Sequence, residues 1–115
     1  MGWEFYPESL EHKIRYVAQH CRKPIIISEN GIPTENDKER LEYIRVALAG
    51  LSRWLNDGVD VRGYYHWSAF DNYEWTEGYR PKFGLITVDR TTFARTPKPS
   101  AALLGSIARQ YRHIA

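Results

Sequence analysis

Two stretches of this sequence gather side chains that could do chemistry. The first is Ile25-Ile26-Ile27-Ser28-Glu29-Asn30-Gly31. Three β-branched apolar residues lead into a lone carboxylate, and Asn-Gly follows at once. Such a run, entered through Pro24, predicts a buried strand over 25–28. Asn30-Gly31 predicts an abrupt turn. Glu29 then sits at the carboxyl end of a parallel-type strand, where α/β barrels place their chemistry. A carboxylate there is costly unless it works or is paired. On this segment alone two readings stay open: a catalytic carboxylate, or a helix cap or structural ion pair. The second stretch, Gly63 to Leu85, reads GYYHWSAFDNYEWTEGYRPKFGL. It crowds Trp67, Tyr73, Trp75 and Tyr79 among Asp71, Glu74 and Glu77, a mixture unlike a plain core. A carboxylate such as Glu74 can accept two hydrogen bonds from neighbouring hydroxyls, and the Trp75 indole N–H can donate another.

The elements that must position these residues follow from periodicity. Pro7 suits a first helical turn, with Glu8 and Glu11 at its positive end. Leu10, Ile14, Val17 and Cys21 continue at helical spacing, predicting a helix over about 7–21. Asn36 followed by Glu39 resembles a capping box. Leu41, Ile44, Leu48, Leu51 and Leu55 mark one face of a long helix, with Gly58 just past its end. Val59–Trp67 reads as the next strand, 68–82 as a long loop, and 85–88 as a short extended piece. Pro99 or Ser100 opens a last helix that should bury Leu103, Leu104, Ile107 and Tyr111. Along the second strand Trp67 shares parity with Gly63 and Tyr65, and His66 has the opposite parity. His66 is therefore expected to face the helices as a hydrogen-bonded structural histidine. The order helix, strand, helix, strand, helix gives two βα units. Two parallel strands with three amphipathic helices leave open sheet edges, so the expected object is a piece of a larger sheet.

Both motifs resemble glycoside hydrolase family 1, the β-glucosidase family. That family carries I-T-E-N-G around its nucleophile. Downstream it carries G-Y-F-x-W-S-x-x-D-N-F-E-W, then G-Y and R-F-G-L. The similarity extends to Gly2-Trp3 and Tyr6-Pro7-Glu8 upstream, and to Arg95-Thr96-Pro97-Lys98-Pro99-Ser100-Ala101 downstream, so it covers essentially the whole chain. The resemblance implies an α/β fold in which residues 1–115 form strands 7 and 8, with their helices, of a (β/α)8 TIM barrel. That is a C-terminal quarter of a catalytic domain and not an independent one. It implies a retaining β-glycosidase acting on β-D-glucosides, with β-D-galactosides as a second candidate class. Two carboxylates ~5–5.5 Å apart perform that double displacement. Glu29 maps onto the nucleophile and must stay ionised. Glu74 maps onto the residue that binds the C4 and C6 hydroxyls, and Trp75 onto the donor to C3. Trp67 maps onto an apolar platform, with a barrel-core aromatic as the alternative. Phe83 maps onto a residue bordering the same pocket, with core packing as the alternative.

The departures are specific. Ser28 replaces Thr and keeps a hydroxyl. Tyr73 replaces Phe, and its hydroxyl has no assigned partner. Lys82 replaces Arg, which removes any bidentate contact, so no role is inferred for it. The family's acid/base Glu lies in Asn-Glu-Pro, which is absent here. A complementary fragment with barrel strands 1–6 is therefore an expected partner, besides the β-glucoside substrate. The alternative is a non-catalytic carbohydrate-binding or scaffold fragment. A phospho-β-glycosidase is disfavoured, because Glu74 would repel a phosphate.

Composition excludes little else. Content of 43% hydrophobic and 26% charged residues fits a soluble globular protein. A net charge of +2 with scattered basic residues gives no case for nucleic acid or an anionic membrane. No apolar run approaches a membrane span and no signal peptide is read. Cys21 is the single cysteine, which fits a reducing, cytoplasmic setting. No metal or cofactor is expected: His12, His20 and His113 lack partners at metal spacing, there is no phosphate loop, and Glu35, Asp37 and Glu39 read as a solvated helix start.

Overall fold

The isoleucine run pairs in parallel with the segment from Val61 onward, and every helix packs on one side of that pair. The computed structural model describes residues 2–111. Its order is α1 (Ser9–His20), β1 (Ile25–Asn30), α2 (Asp37–Asn56), β2 (Val61–His66), β3 (Ile86–Val88), β4 (Arg95–Pro97) and α3 (Pro99–Tyr111). β1 and β2 form a two-stranded parallel sheet, and β3 and β4 an antiparallel hairpin. The α/β character and the two βα units are as expected. β4 has no apolar signature, and the sequence gives no sign of it. Its partner β3 turns back because Asp89 Oδ1 accepts from the Thr91 and Thr92 amides at 2.8 and 2.7 Å.

The core lies between the sheet and α1 and α2. Ile14, Ile27 and Trp54 are its buried centre, and Leu10, Ile25, Leu51, Val59, Val61 and Tyr64 pack around them. The helix ends follow from local chemistry. Asn36 Oδ1 accepts the Lys38 amide at 3.1 Å and caps α2. Glu39 does not complete a capping box; its carboxylate accepts from Thr34 Oγ1 at 2.6 Å instead. Gly58, at φ +81°, ends the helix as the residue free to adopt that conformation.

Three expectations are corrected. Asp37 is not part of a solvated helix start. Its carboxylate accepts from the Ser100 amide at 2.9 Å and the Ser100 hydroxyl at 2.7 Å, and so holds the start of α3. It also pairs at 2.6 Å with Arg40, which is fully buried. Burial pushes the Asp37 carboxyl up, but Ser100 and Arg40 outweigh it and hold it below the usual range. The other Arg40 bonds go to the Thr34 and Lys82 carbonyls at 2.5 and 2.6 Å, tying α2 to the long loop. Tyr111 is 46% exposed rather than buried, with its hydroxyl 2.5 Å from Ser52 Oγ. Leu103, Leu104 and Ile107 are only half-buried. Leu104 and Ile107 border, with Leu48, Leu51 and Leu55, a groove of about 540 Å³ between α2, β2 and α3. Finally, β1 is covered on one face only. Ile27 is 5% exposed, but Ile26 on the other face is 62% exposed, as is Tyr65 of β2 at 64%.

Candidate active site

A bulge decides where Glu29 points. Ile27 pairs with Tyr64 and Asn30 with His66, so β1 takes three steps where β2 takes two. Strict alternation would put Glu29 on the side of Ile25 and Ile27, against the helices. The extra residue gives that side to Asn30 instead. The Asn30 side-chain amide donates to Tyr43 Oη, and its oxygen accepts from Tyr64 Oη, both at 3.0 Å. Burial pushes the Tyr64 phenol up, so it stays a neutral donor. Glu29 is thereby turned to the uncovered face and is exposed.

Gly31 brings the second strand close. A Cβ there would lie 1.8 Å from the Trp67 carbonyl oxygen. The Trp67 amide donates to the Asn30 carbonyl at 2.9 Å. The glycine after Glu29-Asn30 thus serves a close backbone approach rather than the expected abrupt turn; its φ is not positive, and β1 runs on to Asn30. The Trp67–Ser68 peptide that follows is cis.

From that junction the site continues into the loop. The Trp67 indole donates to Glu74 Oε1 at 3.0 Å. Glu74 is half-buried, and its backbone is fixed at both ends of a short turn: its amide donates to the Gly78 carbonyl at 2.8 Å, and the Glu77 amide donates to its carbonyl at 2.9 Å. Trp75, next to it, has φ +48° and is 81% exposed. Phe83 is 3% exposed, edge-on to Trp3 at 5.5 Å, and forms wall rather than open surface among the described residues. The structure therefore joins the Glu29 strand end, Trp67 and Glu74 through direct contacts. It sets Trp75 on the outside of the same loop and Phe83 beneath it. The Lys82 ammonium donates to the Tyr79 carbonyl at 2.8 Å, a contact within the loop.

Two buried groups were not legible as part of this assembly. Asp71, 5% exposed, accepts from the Gly84 amide at 2.9 Å and from the Lys98 ammonium at 3.1 Å through each oxygen. Burial pushes the Lys98 ammonium below its usual range, against the opposing pull of Asp71. Both lie in segments that resemble the family, Asp71 before Asn72 and Lys98 between two prolines, but nothing in the sequence pairs them. His66 does face the helix side, but among the described residues neither ring nitrogen has a hydrogen-bond partner, which corrects the expectation of a bonded histidine. Among the described residues no group of three or more His, Cys, Asp or Glu could hold a metal ion.

Comparison with known proteins gives the family. The family model described as glycosyl hydrolase family 1 matches residues 1–112. The chain belongs to glycosyl hydrolase family 1. A β-galactosidase of Sulfolobus acidocaldarius is 42% identical over 94% of this chain. Among solved structures, β-glucosidase 1317 superposes with a TM-score of 0.91 at 56% identity, covering 94% of this chain and 27% of that one. A β-glucosidase from Thermotoga maritima in complex with glucoimidazole superposes with a TM-score of 0.89 at 30% identity, covering 95% and 27%. The family 1 chain spans 22% of the length of the β-galactosidase. Its α/β units match part of enzymes whose fold is the (β/α)8 barrel. Among the described residues no helix is long and apolar enough to cross a membrane.

The unbonded His66 sets a pH dependence. Burial, with the Arg40 charge adding to it, lowers its pKa from 6.5 to about 4, against a smaller opposing pull from the Phe83 backbone. The folded state thus binds this proton more weakly than the unfolded chain. The stabilisation is whole above about pH 6.5 and is lost as pH falls toward 4. Between pH 7.5 and 4.5 this residue should cost about 2–3 kcal/mol of stability. Urea unfolding at the two pH values, with this chain in its assembled protein and compared with His66→Gln, checks this; the variant should lose that part of the acid sensitivity.

Proposed function

We propose that this chain forms strands seven and eight of a (β/α)8 barrel and carries half of the machinery of a retaining β-glycosidase. Glu29 is the nucleophile, and the acid/base carboxylate comes from the remainder of the barrel. The observation that carries the reading is the chain of contacts at the carboxyl ends of β1 and β2. Glu29 turns to the open face, Asn30 binds the Trp67 amide, and the Trp67 indole binds Glu74. A sugar seated against that rim would meet a nucleophile and a hydroxyl-binding carboxylate together. The glucosidase and galactosidase names of its relatives fit the same class.

In this mechanism the Glu29 carboxylate attacks the anomeric carbon as the second carboxyl protonates the departing oxygen. A glycosyl-enzyme forms at Glu29. The second group then takes a proton from water, which releases the sugar with its configuration retained. No cofactor is required. Glu74 accepts from the C4 and C6 hydroxyls, and the exposed Trp75 indole donates to C3. Trp67 lies under the sugar as a platform and spends its N–H on orienting Glu74. Phe83 backs the pocket wall. The substrates are β-D-glucosides and, with modest discrimination, β-D-galactosides, since one carboxylate bridging C4 and C6 can receive either C4 orientation. The setting is the reducing cytoplasm.

The rest of the barrel is the partner. It covers Ile26 and Tyr65 on the open strand face and fills the groove lined by Leu104 and Ile107. Obligate burial above ~2,000 Å² is expected. The chain alone should therefore melt without a cooperative transition; a sharp two-state melt of the isolated monomer by calorimetry would contradict this. In the assembled enzyme Glu29→Gln should reduce turnover by several orders of magnitude while circular dichroism stays unchanged. Near-normal turnover would remove Glu29 from the mechanism, and an intact sugar-binding but inactive wild-type assembly would favour a non-catalytic carbohydrate-binding role. Glu74→Ala should lower kcat/KM by roughly 10- to 200-fold for substrates with both hydroxyls, the equivalent of one lost hydrogen bond to a charged group. The comparison is glucoside, galactoside, fucoside and 6-deoxyglucoside; an equal loss on all four would show that Glu74 does not read those hydroxyls.

A further inference from the structure

The loop that presents Glu74 leaves a stitched base at Asp71 and returns to it at Gly84. Below these two residues the strands of the loop are bonded to each other: the Leu85 amide to the Ser68 carbonyl, the Ile86 amide to Ala69 and the Asp71 amide to Ile86, each at 3.0 Å. Above them the tip has one short turn at Trp75–Glu77, and its far arm is tied down at the Lys82 carbonyl by Arg40 and the Thr34 amide and at the Phe83 carbonyl by the Ser68 amide. Residues 71 and 84 are therefore the neck. The neck is closed by one knot of buried charge. Asp71 takes the Gly84 amide at 2.9 Å, and the Lys98 ammonium takes both Asp71 oxygens at 3.1 Å and the Gly84 carbonyl at 2.6 Å. The Asp71 and Lys98 side chains are 6% and 13% exposed, so water does not compete strongly for either. The approach is too close for any side chain at 84, where a Cβ would meet the Asp71 nitrogen at 2.1 Å. A second clamp sits beside the first. The Arg90 guanidinium donates to the Asp71 carbonyl and lies 4.1 Å from the centre of the Tyr79 ring on the far arm of the tip.

We propose that Lys98, acting through Asp71 and Gly84, is a positioning residue for the sugar pocket: it locks the loop neck so that Glu74 and the Trp67 indole keep the geometry that reads the sugar hydroxyls. Lys98 opens α3, and α3 is held to α2 by Ser100 and Asp37. The scaffold thus holds the recognition loop at two points: the Lys98 ammonium fixes its beginning at Asp71, and Arg40 with the Thr34 amide fixes its end at the Lys82 carbonyl. Removing the ammonium leaves a buried Asp71 carboxylate with only one amide on it, and the neck opens to solvate it. The tip then keeps its internal turn and its tie at Lys82, but its Asp71 arm loosens and Glu74 loses its fixed position against the Trp67 indole.

The inference rests on the proposed role of Glu74, and the test separates the two. In the assembled enzyme, Lys98→Met, Lys98→Arg, Glu74→Ala and the Lys98→Met/Glu74→Ala double variant are compared on glucoside and 6-deoxyglucoside. Lys98→Met should lower kcat/KM for glucoside about 10-fold or more, mainly through KM, and shrink the preference for glucoside over 6-deoxyglucoside toward the Glu74→Ala value. The double variant should show no further loss of that preference, and Lys98→Arg should restore part of it. An equal loss on both substrates would make Lys98 a structural residue only and would overturn the proposal. So would unchanged kinetics. Should Lys98→Met fail to fold, Lys98→Gln serves with amide hydrogen exchange as the readout. Faster exchange confined to 72–83 supports the lock; exchange unchanged there, or raised throughout, overturns it. If Glu74→Ala leaves the preference for glucoside over 6-deoxyglucoside as it is in the wild type, the sugar-pocket role of Glu74 falls, and the same exchange measurement decides the lock by itself.

Discussion

The site depends on one backbone junction. The Trp67 amide donates to the Asn30 carbonyl, and Gly31 leaves room for the Trp67 oxygen where any side chain would collide. This junction fixes the relative height of the two strand ends. A nucleophile and a recognition loop on separate βα units are useful only if that height is held to a fraction of an ångström. The bulge before Asn30 works with it. The bulge gives the core-facing position to Asn30, whose amide is satisfied by the buried Tyr43 and the half-buried Tyr64, and leaves the charged neighbour outside. An ionised Glu29 placed among Ile14, Ile27 and Trp54 would carry a desolvation penalty that nothing nearby offsets.

Polar groups do the joining where apolar packing is thin. α3 is tied to α2 by Ser100 on Asp37 at its start and by Tyr111 on Ser52 at its end, and Asp37 in turn neutralises the buried Arg40. Arg40 reaches the Lys82 carbonyl at the end of the loop, and Lys98 reaches Asp71 at its beginning. Helix, loop and hairpin thus share one charged network on the helix side of the sheet. The opposite face carries Ile26 and Tyr65 without cover among the described residues. That division explains a chain that is well ordered locally yet presents an open apolar surface.

Much of this was legible in the sequence, and the reasons differ by residue. The isoleucine run and the leucine spacing of α2 mark their elements because burial selects them strongly. The shared parity of Gly63 and Tyr65 is seen on the open face, where Tyr65 is exposed and a Cβ at Gly63 would meet Ile26. The orientation of Glu29 could not be read from alternation, because a bulge leaves no compositional trace. Gly31 looked like a turn residue because Asn-Gly usually is one; its true constraint comes from Trp67, far away in sequence. Asp37 resembled solvated helix-start acids because its partner Ser100 is 63 positions later. Tyr111 fits the apolar spacing of α3, but that face lacks cover here. The Asp71–Lys98 pair is a long-range electrostatic contact, and sequence pattern has no period for it.

The account turns on whether Glu29 is the residue that forms the covalent intermediate. The most direct test is to incubate the assembled enzyme with a 2-fluoro β-glucoside bearing a good leaving group, digest it and map the adduct by mass spectrometry. Such a substrate slows the second displacement and lets the glycosyl-enzyme accumulate. The account predicts a stoichiometric fluoroglycosyl adduct on Glu29, in the peptide containing Ser28-Glu29-Asn30-Gly31, with loss of activity in parallel. An adduct on any other carboxylate, or inactivation without an adduct on this chain, would contradict it.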